Sequence, residues 1–268
     1  MHPIERLRWI ARSEDEADST VAAEAAWALG ELALEEEAAV LTASRRLVLR
    51  QPASGPLWWA CATILEALGG EDVLQAAQRV AFDLAGDSVS ARLTRALRQQ
   101  LAAGDLLGVA PPAETAARAL ADEQRFAIYL LAPYRELRYE MARFGTADVT
   151  GYEVEEADEV LEEASLLLVE PRFASPRHLF VSAGAARAVG AAQRAKVACW
   201  AVLGPGRVLS EPLAATASQL ARGEGELLPP SSFEAAIDAQ GLGEAAEVLG
   251  RGSCPPALAL AHLGELGR

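Results

Sequence analysis

LLLVEPRFASPRHLFVSAGAARAVGAA, residues 166 to 192, begins with an unbroken apolar run and ends in small residues. A short apolar run of this kind is typical of a strand that is buried on both faces. Ser182, followed by alanine and glycine, is typical of a capped helix start. A strand, a loop and a helix in this order predict one unit of a parallel sheet, with Ser182 at the N-terminus of its helix.

The same alternation continues on both sides of this stretch. From Gly104 onward, short apolar runs alternate with helical patterns, and KVACWAVLG supplies one more buried strand after residue 195. Because parallel strands need crossover helices, this order predicts a parallel sheet with helices on both faces. The tail from Arg222 is predicted to be a loop rich in proline and glycine, followed by short helices.

The residues before Gly104 have a helical pattern almost throughout. In DSTVAAEAAWALGELALEEEAAVL, apolar side chains recur with the helical period after Ser19 or Thr20, one of which is the predicted N-cap. Pro56 is predicted to open the next helix. We therefore predict an α/β protein of two domains, an all-helical domain over residues 1–103 and a Rossmann-like parallel-sheet domain over residues 104–268.

The composition narrows the classes of partner. The chain has 38 acidic and 24 basic residues, a formal charge of −14, which repels DNA, RNA and anionic membrane surfaces. No apolar run approaches the roughly 20 residues that span a bilayer, and the N-terminal stretch has no signal-peptide core. The three cysteines and three histidines are scattered, so neither a metal site nor a cofactor is expected. We expect a cytoplasmic protein with no nucleic-acid or membrane partner.

Four stretches resemble, in order and spacing, segments of one protein family. They are RQPASGPLWWA (50–60), GDLLGVAPPAETAARAL (104–120), APYRELRYEMARFG (132–145) and VEPRFASPRHLFVSAGA (169–185). The family contains the alpha, beta and delta subunits of translation initiation factor 2B and the isomerases of methylthioribose-1-phosphate and ribose-1,5-bisphosphate. The resemblance covers nearly the whole chain. It implies a helical domain followed by a Rossmann-like domain related to ribose-5-phosphate isomerase and CoA transferases, and assembly as a homodimer or higher homo-oligomer.

The same resemblance shows substitutions where the isomerases have functional groups. Pro111 stands in place of a cysteine that is a candidate acid or base, and Pro171 in place of the catalytic aspartate. The amide and cationic positions fall on Val181, Ser182, Ala132 and Gln51. Because an isomerase that moves a carbonyl needs an acid–base pair and cations that hold phosphate, we expect no isomerase activity from these positions.

Candidate ligand-binding residues lie beyond the carboxyl ends of the predicted strands, where open α/β sheets bind ligands. A helix N-terminus at Ser182 offers backbone N–H groups to an anion. The predicted ligand-binding residues are Thr115, Arg135, Glu136, Arg172, Ser182 and Gly184. The alternative is structural: Ser182 only caps its helix, Gly184 allows close packing, and the arginines pair with surface carboxylates.

Two functions from different classes remain open. The first is a non-catalytic homologue of the sugar-phosphate isomerases that binds a small phosphorylated metabolite or nucleotide, or a protein partner. The second is a sugar-phosphate isomerase with relocated chemistry, in which Glu170, Glu136 or Cys199 replaces the lost groups. Glu170 is the catalytic candidate because it is the only acid at the end of the quoted strand, although a solvated or salt-bridged carboxylate is the commoner role for such a residue. A translation factor is a third reading, which the lack of a basic surface for RNA disfavours.

Overall fold

The computed structural model describes residues 2–13, 17–68, 72–86, 88–252 and 254–265. It has the predicted α/β architecture, with a helical N-terminal region followed by a mostly parallel sheet. The first five helices are α1 (Pro3–Ile10), α2 (Asp18–Arg50), α3 (Gly55–Ala67), α4 (Val73–Ala85) and α5 (Ser88–Gln100). Within the described residues, no helix is both long and apolar enough to cross a membrane.

Helix α2 is the central element of the helical region. Its 33 residues bend at Glu36, whose φ of −153° and ψ of 84° interrupt the helical backbone. The helix begins at Asp18, with Ala17 as the N-cap, so the prediction of Ser19 or Thr20 as the cap was wrong. The reason lies outside the helix, because the Ser19 hydroxyl donates to the distant Glu114 carboxylate and not to its own first turn.

A seven-stranded sheet forms the second half of the molecule. Its strands are β1 (Leu106–Ala110), β2 (Ala127–Ala132), β3 (Val149–Glu153), β4 (Leu166–Val169), β7 (Ala198–Val202), β9 (Ala235–Asp238) and β10 (Gly241–Gly243). The order is β10-β9-β7-β4-β1-β2-β3, and only the β10–β9 pair is antiparallel. Three further strands, β5 (Phe173–Ala174), β6 (Leu179–Val181) and β8 (Glu226–Leu228), form a small separate sheet.

Strands β8, β9 and β10 correct the prediction that the tail is loop and short helices. They are three or four residues long and contain glycine, alanine or charged residues, so they lack the apolar run that predicts the strands at residues 166–169 and 198–202. The small sheet likewise occupies what was predicted to be a long loop after β4.

Helices cover both faces of the large sheet, as the buried strands require. The remaining helices are α6 (Glu114–Leu120), α7 (Tyr134–Ala142), α8 (Ala157–Val160), α9 (Ala183–Ala195), α10 (Glu211–Leu220), α11 (Ala245–Gly250) and α12 (Leu258–Ala261). In β4, Leu166 and Leu168 pack on the face that carries α5 and α6, whereas Leu167 and Val169 pack on the face that carries α8 and α9.

The two halves of the chain share their cores. Side chains of α10 and α12 pack with α2 and α3, while α5 packs on the sheet beside α6 and β9. The division at residues 103 and 104 therefore stays a prediction.

The order of the strands fixes where a crevice is expected. From β1 the chain builds outward through β2 and β3 on one side, and through β4, β7 and β9 on the other. The switch point lies between the carboxyl ends of β1 and β4, just after Ala110 and Val169. In open α/β sheets this point is the usual place for a ligand.

Candidate functional site at the carboxyl edge of the sheet

Glu170 lies at the switch point, directly after β4, and only 1% of its surface is exposed. Its Oε2 accepts a hydrogen bond of 2.7 Å from the backbone N–H of Thr115, and its Oε1 accepts one of 2.7 Å from the Thr115 hydroxyl. Thr115 lies in the first turn of α6, which follows β1. Two predicted site residues are therefore joined side by side.

Arg207 is the cation that completes this arrangement. It follows β7 in the loop that begins at Gly204 and is 2% exposed. Its Nε donates to Glu170 Oε1 at 2.8 Å, and one terminal nitrogen donates to the carbonyl oxygens of Pro171 at 3.0 Å and Arg172 at 3.3 Å. A buried arginine needs such partners for its N–H groups, and here they all come from the same chain.

Glu114 connects the sheet to the helical region. Its Oε2 accepts from Arg207 at 3.3 Å and from the backbone N–H of Ser19 at 3.4 Å, and its Oε1 accepts from the Ser19 hydroxyl. Asp18, at the start of α2, lies 3.7 Å from Arg207. We call Asp18, Ser19, Glu114, Thr115, Glu170 and Arg207 the switch-point network.

Burial and charge act against each other in this network. Burial raises the pKa of Glu170, although the Arg207 charge and the Thr115 hydrogen bonds oppose the rise. Burial also opposes the charge on Arg207, but Glu170, Asp18 and Glu114 outweigh it and raise the pKa of the guanidinium. Arg207 therefore stays protonated among three carboxylates.

A second polar group lies on α7, near the same edge. Glu140 is 7% exposed, and its nearest cation is Arg143 at 3.8 Å. Burial raises the pKa of the Glu140 carboxyl; Arg143 and Arg172 oppose the rise, while Glu136 and Glu170 add to it. Glu140 Oε2 and Arg172 Nε are both buried without a hydrogen-bond partner among the described residues.

Ser182 and Gly184 have local structural contacts. The Ser182 hydroxyl accepts from the backbone N–H of Ala185 at 3.1 Å, which caps α9, and donates to the Pro111 carbonyl at 2.9 Å. A Cβ added at Gly184 would lie 3.6 Å from Val154. Neither observation tests the predicted role in binding a ligand.

Arg135 and Glu136 lie apart from the switch-point network. Both are on α7, where their side chains are 85% and 44% exposed and pair with each other at 3.4 Å. Arg172 is closer, because its carbonyl oxygen accepts from Arg207 and from the backbone N–H of Gly55 at 3.2 Å. The structure thus brings together Thr115, Glu170 and the backbone of Arg172, but not Arg135 or Glu136.

Known structures share this fold. No protein-family model matches the chain, and no curated protein matches it. The tetrameric complex of initiation factor 2B beta and delta subunits from C. thermophilum superimposes with a TM-score of 0.69 at 14% identity, over 92% of this chain and 93% of that chain. The chain has the initiation factor 2B fold.

An archaeal protein and an enzyme share this fold as well. Translation initiation factor eIF-2B from Pyrococcus horikoshii gives a TM-score of 0.67 at 14% identity, over 92% of this chain and 98% of that chain. The 5-methylthioribose 1-phosphate isomerase of the same organism gives 0.61 at 13% identity, over 99% and 88%. The resemblance predicted from sequence is confirmed at the level of the fold.

Within the initiation factor 2B fold of this chain, the two substituting prolines have backbone roles. The Pro111 carbonyl accepts from Ser182, and the Pro171 carbonyl accepts from Arg207. Cys199 is buried in β7, and burial raises the pKa of its thiol far above the ordinary value, so the thiol stays protonated. Among the described residues, no cluster of histidine, cysteine and carboxylate side chains has the arrangement of a metal site.

Sequence reasoning missed Arg207, Glu114, Ser19 and Glu140. Glu114 could have been predicted from the sequence, because it directly precedes Thr115 in a segment that resembles the family. Arg207 gave a weaker signal, as one arginine after a strand and a Gly-Pro-Gly turn. Its partners lie 37 and 93 residues away along the chain, and no local pattern joins them.

Proposed function

We propose that this chain is a non-catalytic protein of the initiation factor 2B fold that acts as an interaction module. The observation that carries the proposal is the switch-point network. At the place where this fold class usually binds a ligand, the available acid and cation are bonded to each other and buried. Glu114 and Ser19 extend the same network into α2, so it ties the helical region to the sheet.

Isomerase chemistry requires groups that reach a substrate. An acid or base must come within hydrogen-bond distance of the proton that it transfers, and cations must meet the phosphate oxygens. Glu170 already accepts from Thr115 and Arg207, and Arg207 already donates to two carboxylates and two carbonyls. Releasing either group would leave a buried charge without its partner.

The test is turnover of a panel of aldose 1-phosphates, followed by NMR. We expect no isomerisation above the rate without protein. Melting of the chain with each sugar phosphate is measured in parallel, because a ligand that binds the folded state raises the melting temperature. We expect no shift from any of them. Turnover that Glu170→Gln abolishes would overturn the proposal.

We also propose that the partner includes a second copy of this chain, giving a homodimer or higher homo-oligomer. The support is indirect: the solved structure from C. thermophilum is of a tetrameric complex, and this chain exposes Phe82 and Tyr134, each by 78%. Light scattering at several protein concentrations measures the mass of the assembly. A monomeric mass at every concentration would contradict the proposed homo-oligomer. A cytoplasmic location remains part of the proposal, supported by the three unpaired cysteines.

One observation favours the second candidate, an isomerase with relocated residues. Glu140 and Glu170 are buried carboxyls with raised pKa values near one edge of the sheet, and such values cluster at functional sites. Glu140 Oε2 and Arg172 Nε also lack partners among the described residues. In the same assay, this candidate requires turnover that both Glu140→Gln and Glu170→Gln reduce.

A further inference from the structure

A cavity of about 530 Å³ lies in the helical region, away from the sheet. It is bounded by α1 and by α2 on both sides of the bend at Glu36. Its apolar wall includes the buried Leu7, Leu32 and Leu47 and the half-buried Ala43. Small-molecule sites are mostly apolar and measure roughly 300–1,000 Å³, so the cavity has the size and lining of such a site.

Four exposed arginines line the same cavity. They are Arg8, Arg12, Arg46 and Arg50. Among the described residues, none of the four has a carboxylate within 4 Å, whereas the neighbouring Arg6 pairs with Glu24 and Glu31. What sets these four apart from other arginines of the described residues is their shared position around one apolar cavity.

The helix dipole accounts for only part of this arrangement. Arg8 and Arg50 lie in the last turns of α1 and α2, where the dipole favours a cation. Arg46 and Arg50 are also four residues apart on one helix, where like charges repel. The dipole gives no reason for arginines from two segments to converge on one apolar cavity.

We propose that this cavity binds an amphiphilic anion, a small molecule with an apolar chain and one carboxylate or phosphate head group. The chain lies against the leucines, and the arginines hold the head group through charge-assisted hydrogen bonds. The bound anion offsets the repulsion between the arginines. Without a ligand, nothing in the cavity does so among the described residues. The proposal concerns a different place from the switch-point network and does not depend on the proposed function.

Calorimetric titration with four probes tests the chemistry of the ligand. The probes are decanoate, decyl phosphate, decanol and inorganic phosphate. We expect the two amphiphilic anions to bind at least about tenfold more tightly than decanol or inorganic phosphate, because only they use both parts of the site. Their affinity falls as salt is added, since exposed charges are screened. If decanol or inorganic phosphate binds as tightly, the proposal is wrong.

Matched variants test whether the ligand binds in this cavity. Arg46→Gln with Arg50→Gln is expected to weaken decanoate about tenfold or more, whereas Arg92→Gln with Arg95→Gln, on α5 outside the cavity, leaves it unchanged. Equal losses in the two double variants would overturn the site, because general charge attraction would then explain them. Both are surface changes, and circular dichroism is the check that each variant folds.

Filling the cavity gives a second test of the place. Ala43→Phe is expected to abolish decanoate binding, and Ala43→Ser to keep it. If Ala43→Phe fails to fold, the arginine pair decides. A membrane surface is the other source of this chemistry, and sedimentation with phosphatidylcholine vesicles containing phosphatidylglycerol separates the two. Binding to vesicles without binding of decanoate would contradict the proposal.

Discussion

The switch-point network and the arginine-lined cavity differ in how far their arginines are buried and paired. Arg207 is 2% exposed and donates to side chains and carbonyls of its own chain. Arg46 and Arg50 are exposed beside an apolar cavity, with no carboxylate within 4 Å among the described residues. A buried charge with its partners in place stabilises a structure, whereas an exposed charge without partners is available to a ligand.

The place where this fold class usually binds ligands differs from the place where, among the described residues, exposed arginines surround an apolar cavity. The strand order of the initiation factor 2B fold predicts a ligand site at the carboxyl edge of the sheet. There the side chains of the switch-point network bond to one another, while Arg8, Arg12, Arg46 and Arg50 in the helical region have no carboxylate within 4 Å among the described residues. Function is therefore better argued from the groups at a site than from the fold that surrounds it.

The largest loss of stability is expected from removing Arg207, the cation of the switch-point network. Arg207→Met removes the donor to Glu170 and Glu114 and leaves both carboxylates buried without it. We expect a loss of about 3–5 kcal/mol in the free energy of unfolding, measured by urea denaturation. The matched control is Arg194→Met, which breaks an exposed pair with Asp158 and should cost at most about 1 kcal/mol. Equal losses would show that Arg207 is no more important than a surface pair.

A smaller effect is expected from crowding the network without removing a charge. A Cβ at Gly204 would collide with the Thr115 hydroxyl and lie 3.1 Å from Glu170 Oε1. Gly204→Ala should therefore cost about 1–3 kcal/mol, as overpacking of a dense interior does. The control is Gly250→Ala at the end of α11, where an added Cβ meets open space. If both variants melt alike, the network tolerates displacement and is not tightly packed.

Much of the fold was predictable because its main strands are continuous apolar runs. Leu166–Val169 and Ala198–Val202 are buried on both faces, and this gives the pattern of a central parallel strand. Ala235–Asp238 gave no such pattern, because its two alanines and terminal aspartate do not distinguish a strand from a loop. Its pairing with β7 provides the stability that its own residues lack.

The candidate site was predictable where a residue follows a strand directly or lies in a segment that resembles the family. Glu170 ends the quoted strand and Thr115 belongs to a recognised segment, and both are in the network. Ser19 was read as a helix cap, a local role, but it bonds to Glu114, 95 residues away. Long-range hydrogen bonds of this kind have no periodic signature, so they appear only when the chain is folded.

The smallest effect, and the one most specific to charge, concerns Glu140. Because burial raises the pKa of this carboxyl, the folded chain holds its proton more tightly than the unfolded chain does. The resulting stability is fully present below the ordinary glutamate pKa of 4.5 and is lost as the pH rises through the raised folded value. Glu140→Gln cannot titrate, so its stability relative to the unaltered chain should increase from pH 4.5 to pH 8. Urea denaturation across this range measures the difference, and Glu66→Gln, whose side chain is exposed on α3, is the control. A difference that is flat or falls with pH would show that Glu140 is not a strained buried acid, and would remove the observation that favours relocated catalysis.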